Sequence, residues 1–165
     1  MPNSAQVVSI ESSDLQKKTG DLFTDRLYRE LFKPDGFKKK GKTFSRLHAT
    51  YGEHYNIQGS AWNSPHEPWR FYVNCGVSFP DIPVHTKGAG MRAFHAHTRL
   101  RFLVPESLSE YAITHENFEA TLAKVVAHLK KCSSYFAQRH EVLRRSYLDK
   151  KYRRGFPHDP DLRSD

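Results

Sequence analysis

The chain has 165 residues, of which 38% are hydrophobic, and its formal net charge is +8. This length fits one domain, and eleven phenylalanines supply enough apolar surface for a core, so wholesale disorder is excluded. No run of about 18 apolar residues is present, which excludes a membrane-spanning helix and predicts a protein without a membrane association.

The N-terminal part of the chain predicts a flexible segment followed by a helix. Residues 1–13 are polar and Ser-rich, without a period and without the features of a secretory signal, and we expect a flexible lead-in. From Gly20 to about Lys33, apolar residues recur at helical spacing and predict a helix. Pro34 cannot continue it.

Four antiparallel strands are predicted in the middle of the chain. Their patterns cover 43–50, 54–62, 69–79 and 93–104, with a turn at 52–53 between the first two. In the third strand, apolar and polar residues alternate strictly. This alternation is typical of a sheet with one dry face and one face open to water or a ligand.

The last third of the chain predicts helices again. Apolar stripes lie on both sides of an interruption at 132–134, which favours two helices, although one continuous helix would also fit. We expect one α+β domain over 14–152 and a flexible tail over 153–165. Its fold would be an antiparallel sheet of four to five strands, with one face covered by the N-terminal helix and two C-terminal helices.

Three motifs together resemble a known family. They are LFKPDGFKKKGKTFSR at 31–46, NIQGS at 56–60 and FYVNCGV at 71–77. This set is similar to the bacterial domain-of-unknown-function family numbered 4304, and the similarity extends over about 23–104. The resemblance implies no established activity, and some relatives look like members of bacterial conflict or toxin–immunity neighbourhoods. The tryptophan pair that the resemblance leads us to expect is replaced here by residues 110–112.

The polar face of the sheet is the candidate binding site. Its predicted members are polar or charged side chains on outward strand positions: Arg46, His48, Gln58, Ser60, Tyr72, Asn74, His95, His97, Arg99 and Arg101. Aromatic, amide and guanidinium groups on a rigid sheet can recognise an anionic or polar partner through charge-assisted hydrogen bonds. The alternative is an ordinary solvated face, which needs no ligand.

Positive charge is concentrated in a turn and in the C-terminal helical region. The basic residues concerned are Lys38, Lys39, Lys40, Lys42, Arg144, Arg145, Lys150 and Lys151. Such charge attracts polyanions, although lysines on turns and wet helix faces also simply favour solubility. A nucleic-acid-binding module that uses this basic patch is therefore the alternative function.

A metal-dependent enzyme is the second alternative. His95 and His97 alternate along the fourth strand and would share one face, where they could bind a metal together. The third ligand could be His48, His54 or His85. The arginines that follow on the same face oppose a bound dication, so we expect no metal and no cofactor.

No catalytic residue is assigned from the sequence. Cys75 and Cys132 fit small core positions, and we expect reduced thiols in a cytoplasmic protein. Glu53 is expected as a solvated acid in a turn. We therefore expect a non-enzymatic interaction protein of a bacterial conflict or regulatory system, with a protein partner that presents an acidic surface.

Overall fold

The computed structural model describes residues 4–64, 68–83 and 94–149, with side chains described from Gln16 onward. Along the chain, six strands lie between two long helices. The elements are α1 (Ser4–Leu27), β1 (Lys38–Lys40), β2 (Thr43–Leu47), β3 (Gly52–Gly59), β4 (Trp69–Ser78), β5 (Ala96–Arg99), β6 (Tyr111–Ile113) and α2 (Phe118–Leu148). The predicted tail at 153–165 and residues 84–93, between the third predicted strand and the start of the fourth, lie outside the described residues.

The six strands form one antiparallel sheet in the order β1-β2-β3-β4-β5. The second edge of β4 is shared, because β5 pairs with its residues 74–77 and β6 pairs with its residues 69–71. The predicted α+β fold is confirmed, with β1 and β6 added to the strands that the sequence pattern indicated.

The alternation along β4 separates a covered side from an open side. Phe71 and Cys75 are fully buried on the covered side, where the ring of Phe23 in α1 lies 4.9 Å from that of Phe71. Tyr72 and Asn74 alternate with them and remain partly exposed on the other side. The two-faced sheet predicted from this strand is therefore confirmed.

Helix α1 begins much earlier than predicted, and together with the π-helical turn that follows it, it ends close to the predicted position at about Lys33. It starts at Ser4 rather than near Gly20, because no proline or glycine between these positions interrupts the helix. Gly20 itself lets the helix approach the sheet, since an added Cβ would lie 2.7 Å from the ring of Trp69. A π-helical turn, Tyr28–Phe32, then closes the helix.

Helix α2 is continuous, so the predicted pair of C-terminal helices is wrong. Cys132 is fully buried in the same apolar stripe as Leu129 and Phe136 and behaves there as a small hydrophobic residue. The Ser134 hydroxyl donates to the Lys130 carbonyl at 3.1 Å, which satisfies it within the helix. Among the described residues, neither helix has a stretch apolar and long enough to cross a bilayer.

The turn between β2 and β3 occupies residues 48–51 rather than the predicted 52–53. The backbone N–H of His48 donates to the carbonyl of Tyr51 at 2.7 Å, and residues 52–53 belong to β3. Gly52 lies within β3 and not in a turn. A glycine fits there because an added Cβ would lie 2.5 Å from the Ser78 hydroxyl oxygen on the neighbouring strand. The predicted fourth strand is also shorter than expected, since it ends at Arg99 and a 3-10 turn follows.

Candidate functional site

The open face is the side of the sheet opposite the one that α1 and α2 cover. Cross-strand pairing arranges its side chains in two rows. One row runs through Lys40, Thr43, Asn56, Asn74 and Arg99, and the other runs through Lys38, Ser45, His54, Gly76 and His97. Gln58 and Tyr72, which pair with each other across β3 and β4, also lie on the open face, and Arg70 lies two residues before Tyr72 on the same side of β4.

An amide network fixes the centre of the open face. The Asn74 Nδ2 donates to Asn56 Oδ1 at 3.2 Å and to Gln58 Oε1 at 3.1 Å. The same Gln58 oxygen accepts from Arg99 Nη1 at 3.4 Å, and the Arg99 guanidinium lies 4.1 Å from the centre of the Tyr72 ring. These contacts hold the polar groups in place, which lowers the entropy lost when a partner orders them.

Within the described strands, the open face carries positive charge and no carboxylate, and Glu110, which precedes β6, lies 3.9 Å from the Arg70 guanidinium at one end of the face. Glu53 is the one acidic residue in the six strands of the described sheet, and its side chain lies on the covered side. Lys38 and Lys40 lie on β1 at one edge, and Arg99 lies on β5 at the other. An anionic group that approaches this face therefore meets cations at both edges.

One corner of the open face is covered by an aromatic ring. The ring of Phe94 stacks on His54 at a centroid distance of 3.6 Å. The two imidazole nitrogens lie 2.9 Å from the Ser45 hydroxyl and 2.7 Å from the Ser78 hydroxyl. Burial, with a smaller effect from His95, lowers the pKa of His54 from 6.5 to about 4. This imidazole is therefore neutral at pH 7 and is closed to a partner.

An exposed tryptophan stands at the end of the sheet, where β3 passes into β4. Trp62 is 80% exposed. Its turn is held by Asn63, whose side chain accepts from the Arg70 backbone N–H at 2.7 Å and donates to the Arg70 carbonyl at 2.9 Å. Ser60, expected as an exposed member of the face, is buried in this turn and accepts from the Trp62 backbone N–H. The strand pattern over 54–62 placed Trp62 at the end of a strand, so the exposed indole was not predicted as a site residue.

Two predicted members of the face instead belong to a partly buried cluster on the covered side, around the buried Glu53. Arg46 lies opposite Glu53 in the strand register, and its Nε donates to Glu53 Oε1 at 2.8 Å. The His48 Nε2 lies 3.1 Å from the same oxygen. Ser133 of α2 and the Tyr55 hydroxyl donate to Glu53 Oε2 at 2.9 and 3.0 Å. We call these five residues the Glu53 cluster.

The Glu53 cluster corrects the expectation of a solvated acid in a turn. Glu53 is 0% exposed, and its carboxylate is held by a cation and by hydroxyl donors. Burial raises the pKa of Tyr55 well above its usual range, which keeps this phenol a donor to the carboxylate. The cluster joins β2, β3 and α2, so its geometry is that of a structural connection across the covered side.

The histidine pair predicted on the fourth strand is separated. His95 precedes β5, its Nδ1 accepts from the Phe79 backbone N–H at 3.0 Å, and its Nε2 lies 2.8 Å from the Ile82 carbonyl oxygen. His97 is exposed within β5. Within the described ranges no three His, Cys, Asp or Glu side chains are grouped as a metal site requires, and the candidate ligand at position 85 lies outside those ranges.

The 3-10 turn after β5 removes another predicted member from the open face. Arg101 lies in this turn, and its guanidinium stands 4.7 Å from the centre of the Phe102 ring. A 3-10 turn does not continue the two-residue alternation of a strand, so the predicted placement is wrong. Five of the ten predicted members remain on the open face: Gln58, Tyr72, Asn74, His97 and Arg99.

The lysines of the β1–β2 hairpin point in two directions rather than forming one patch. Lys39 is paired with Asp25 of α1, and the Lys42 ammonium lies 3.7 Å from a carboxylate oxygen of Asp21. These two lysines therefore fasten the hairpin to α1. The other two lysines extend the open face: Lys38 and Lys40.

The C-terminal half of the predicted basic patch is also divided. Arg144 is paired with Asp81, and this pairing lowers the pKa of the Asp81 carboxyl. Arg145 is exposed near the end of α2, and Lys150 and Lys151 lie outside the described residues. Separate sets of cations, several of them paired, replace the single basic surface that the sequence suggested.

The two cysteines meet at the covered side, although they are far apart in the sequence. Cys75 of β4 and Cys132 of α2 are both free and buried, as predicted. Burial, together with contact with the Cys75 thiol, raises the pKa of Cys132 well above its usual range. A thiol held protonated in this way is a poor nucleophile, so it fits a core position.

These features define a small α+β domain with helices on one side of an antiparallel sheet. The chain belongs to the family described as Domain of unknown function (DUF4304), whose family model matches residues 28–141. The matched range includes all six strands and most of α2, which confirms the resemblance inferred from the motifs. No match was found among curated proteins or among solved structures.

Proposed function

We propose that this protein is a non-catalytic binding domain whose open face receives the acidic surface of a protein partner. The charge of the open face supports this proposal. Cations lie at both edges, on Lys38, Lys40 and Arg99, and the strands place no carboxylate between them. A partner carboxylate would gain charge-assisted hydrogen bonds there without meeting a like charge.

The contacts of Arg99 make it the principal cation of the proposed interface. Its bond to Gln58 uses one of the five N–H donors of the guanidinium, and the Tyr72 ring supports one face of the group. The remaining donors suit a bidentate contact with an aspartate or glutamate. The partner would belong to a bacterial conflict or regulatory system, as the family resemblance suggested.

The aromatic groups favour a protein over a nucleic acid. Tyr72 is the aromatic residue in the middle of the open face, and Arg99 already lies on its ring, so it offers no free platform for a base. The exposed Trp62, on a turn held by hydrogen bonds, is the type of anchor found in protein interfaces. Nucleic-acid binding remains the competing outcome of the test below.

The test compares two double charge reversals in the whole protein. One variant carries Lys40→Glu and Arg99→Glu on the open face. The control carries Lys18→Glu and Lys124→Glu, which are exposed on the two helices and change the net charge by the same amount. Fluorescence anisotropy measures the binding of a labelled polyglutamate peptide, and a single-stranded RNA serves as the comparison.

We expect the wild-type protein to bind polyglutamate at low ionic strength. Reversal on the open face should weaken this binding by about tenfold or more, and the control should change it by about twofold or less. Equal losses in both variants would contradict the proposal. Tighter binding to RNA than to polyglutamate, with a steep dependence on salt, would favour the nucleic-acid alternative.

A further inference from the structure

A pocket of about 320 Å³ lies on the covered side of the sheet, between the turn that follows α1 and the middle of α2. Its floor consists of apolar side chains that are buried or nearly so, among them Leu31, Phe37 and Leu129. Ligand pockets begin at about 300 Å³, so this one suits a small molecule rather than a large cofactor.

The rim of the pocket carries one charge of each sign. Asp35 belongs to the turn and Lys130 belongs to α2, and both are exposed. Across the described ranges, neither forms an ion pair with a described residue. The rim therefore offers a free carboxylate and a free ammonium above an apolar floor.

The Glu53 cluster fixes two walls of this pocket. Arg46 Nη1 donates to the Asp35 carbonyl oxygen at 2.8 Å and so holds the turn. The Ser133 hydroxyl, on the α2 side of the pocket, donates to Glu53 at 2.9 Å. Because Glu53 also holds Arg46, both walls depend on the same buried carboxylate. A pocket with walls fixed in this way loses little freedom when it binds a ligand.

We propose that this pocket binds a free α-amino acid with an apolar side chain. The ligand carboxylate pairs with Lys130, the ligand ammonium pairs with Asp35, and the side chain enters the apolar floor. A simple monocarboxylate could pair with Lys130 but would leave Asp35 unpaired beside it, and a simple amine could pair with Asp35 but would leave Lys130 unpaired. A zwitterion satisfies both rim charges. This site is separate from the open face and goes beyond the function proposed above.

The first test is isothermal titration calorimetry of the whole protein with leucine and phenylalanine. We expect saturable one-to-one binding to at least one of them, with a Kd of about 1 mM or tighter. N-acetylleucine lacks the ammonium and leucinamide lacks the carboxylate, so each should bind at least about tenfold more weakly than leucine. Absence of saturable binding for both amino acids, or equal binding of leucine and its two analogues, would overturn the proposal.

Two variants locate the binding site. Lys130→Gln should weaken leucine binding about tenfold and should remove the preference for leucine over leucinamide. Ala137→Trp places a large ring in the wall of the pocket at an exposed helix position and should abolish binding. Lys124→Gln, exposed on the same helix, is the matched control and should bind leucine normally. Unchanged leucine binding in the first two variants would refute the assignment to this pocket.

Discussion

Glu53 and Arg99 lie on the same sheet, one on the covered side and one on the open face, and their surroundings differ in every respect. Glu53 is fully buried, and groups from β2, β3 and α2 contact its carboxylate. Arg99 is partly exposed and contacts a neutral amide and an aromatic ring. A buried charge must be compensated within the fold, whereas a cation near the surface costs little. Charge therefore supports stability on one side and is available for contact on the other.

The largest expected difference between the two sides appears at adjacent positions of β4. Phe71→Ala should lower the free energy of unfolding by about 4 kcal/mol, because it leaves a cavity under α1. Tyr72→Ala removes a partly exposed ring and should cost about 1 kcal/mol or less. Urea unfolding of both variants measures this difference. Similar losses would contradict the division into two faces.

The Glu53 cluster gives the next largest effect. Glu53→Gln removes the charge that compensates Arg46 and should lower the free energy of unfolding by about 3 kcal/mol. Glu106→Gln is the matched control, because Glu106 pairs with Lys131 at the surface and should contribute less than about 0.5 kcal/mol. Chemical denaturation measures the free energy of unfolding of both variants. Equal losses would show that Glu53 is not structurally required.

The buried imidazole of His54, at the covered corner of the open face, should make the stability of the protein depend on pH. The pKa of His54 is about 4 in the folded protein and 6.5 in its ordinary state, so the unfolded chain binds more protons between these values. The neutral His54 therefore contributes to the free energy of unfolding above about pH 6.5, and this contribution is lost as the pH falls towards 4. We expect a loss of about 2 kcal/mol between pH 7 and pH 5 from this group.

Denaturation of a His54→Gln variant at both pH values measures this contribution. The variant should lose about 2 kcal/mol less than the wild-type protein over the same interval. A variant of an exposed histidine, His115→Gln, should keep the wild-type dependence. An unchanged dependence in His54→Gln would show that this imidazole is not buried under Phe94.

The smallest expected effect on stability concerns Trp62. Because the indole is exposed, Trp62→Ala should change the free energy of unfolding by about 0.5 kcal/mol or less. The same change should weaken binding of an acidic peptide that also carries leucines by about fivefold or more, since the ring would anchor apolar groups. Phe102→Ala, at another exposed aromatic residue, is the control for peptide binding. Equal affinities of the two variants would remove Trp62 from the interface.

Local sequence patterns predicted the fold well where a strand has one buried face and one exposed face. In β4, burial alternates with a period of two, and the sequence shows it directly. At Gly52 the same reasoning failed, because a glycine that permits close contact with Ser78 looks identical in sequence to a turn glycine. The resulting shift placed Glu53 in a turn and hid its role.

Contacts between distant segments account for most of the remaining differences. The partner of Glu53 in α2, Ser133, is 80 residues away, and no local pattern links them. The strand character of Lys38–Lys40 also depends on pairing with β2, because three lysines have no strand pattern of their own. Half of the candidate binding residues were nevertheless placed correctly, since they alternate within β3, β4 and β5.

The most direct test of the open face is an NMR titration of the ¹⁵N-labelled protein with polyglutamate. We expect the largest amide shifts along one cross-strand row, at Asn56, Asn74 and Arg99. The amides of α1 and α2 should change little. Shifts concentrated in the two helices, with this row unchanged, would contradict a binding role for the open face.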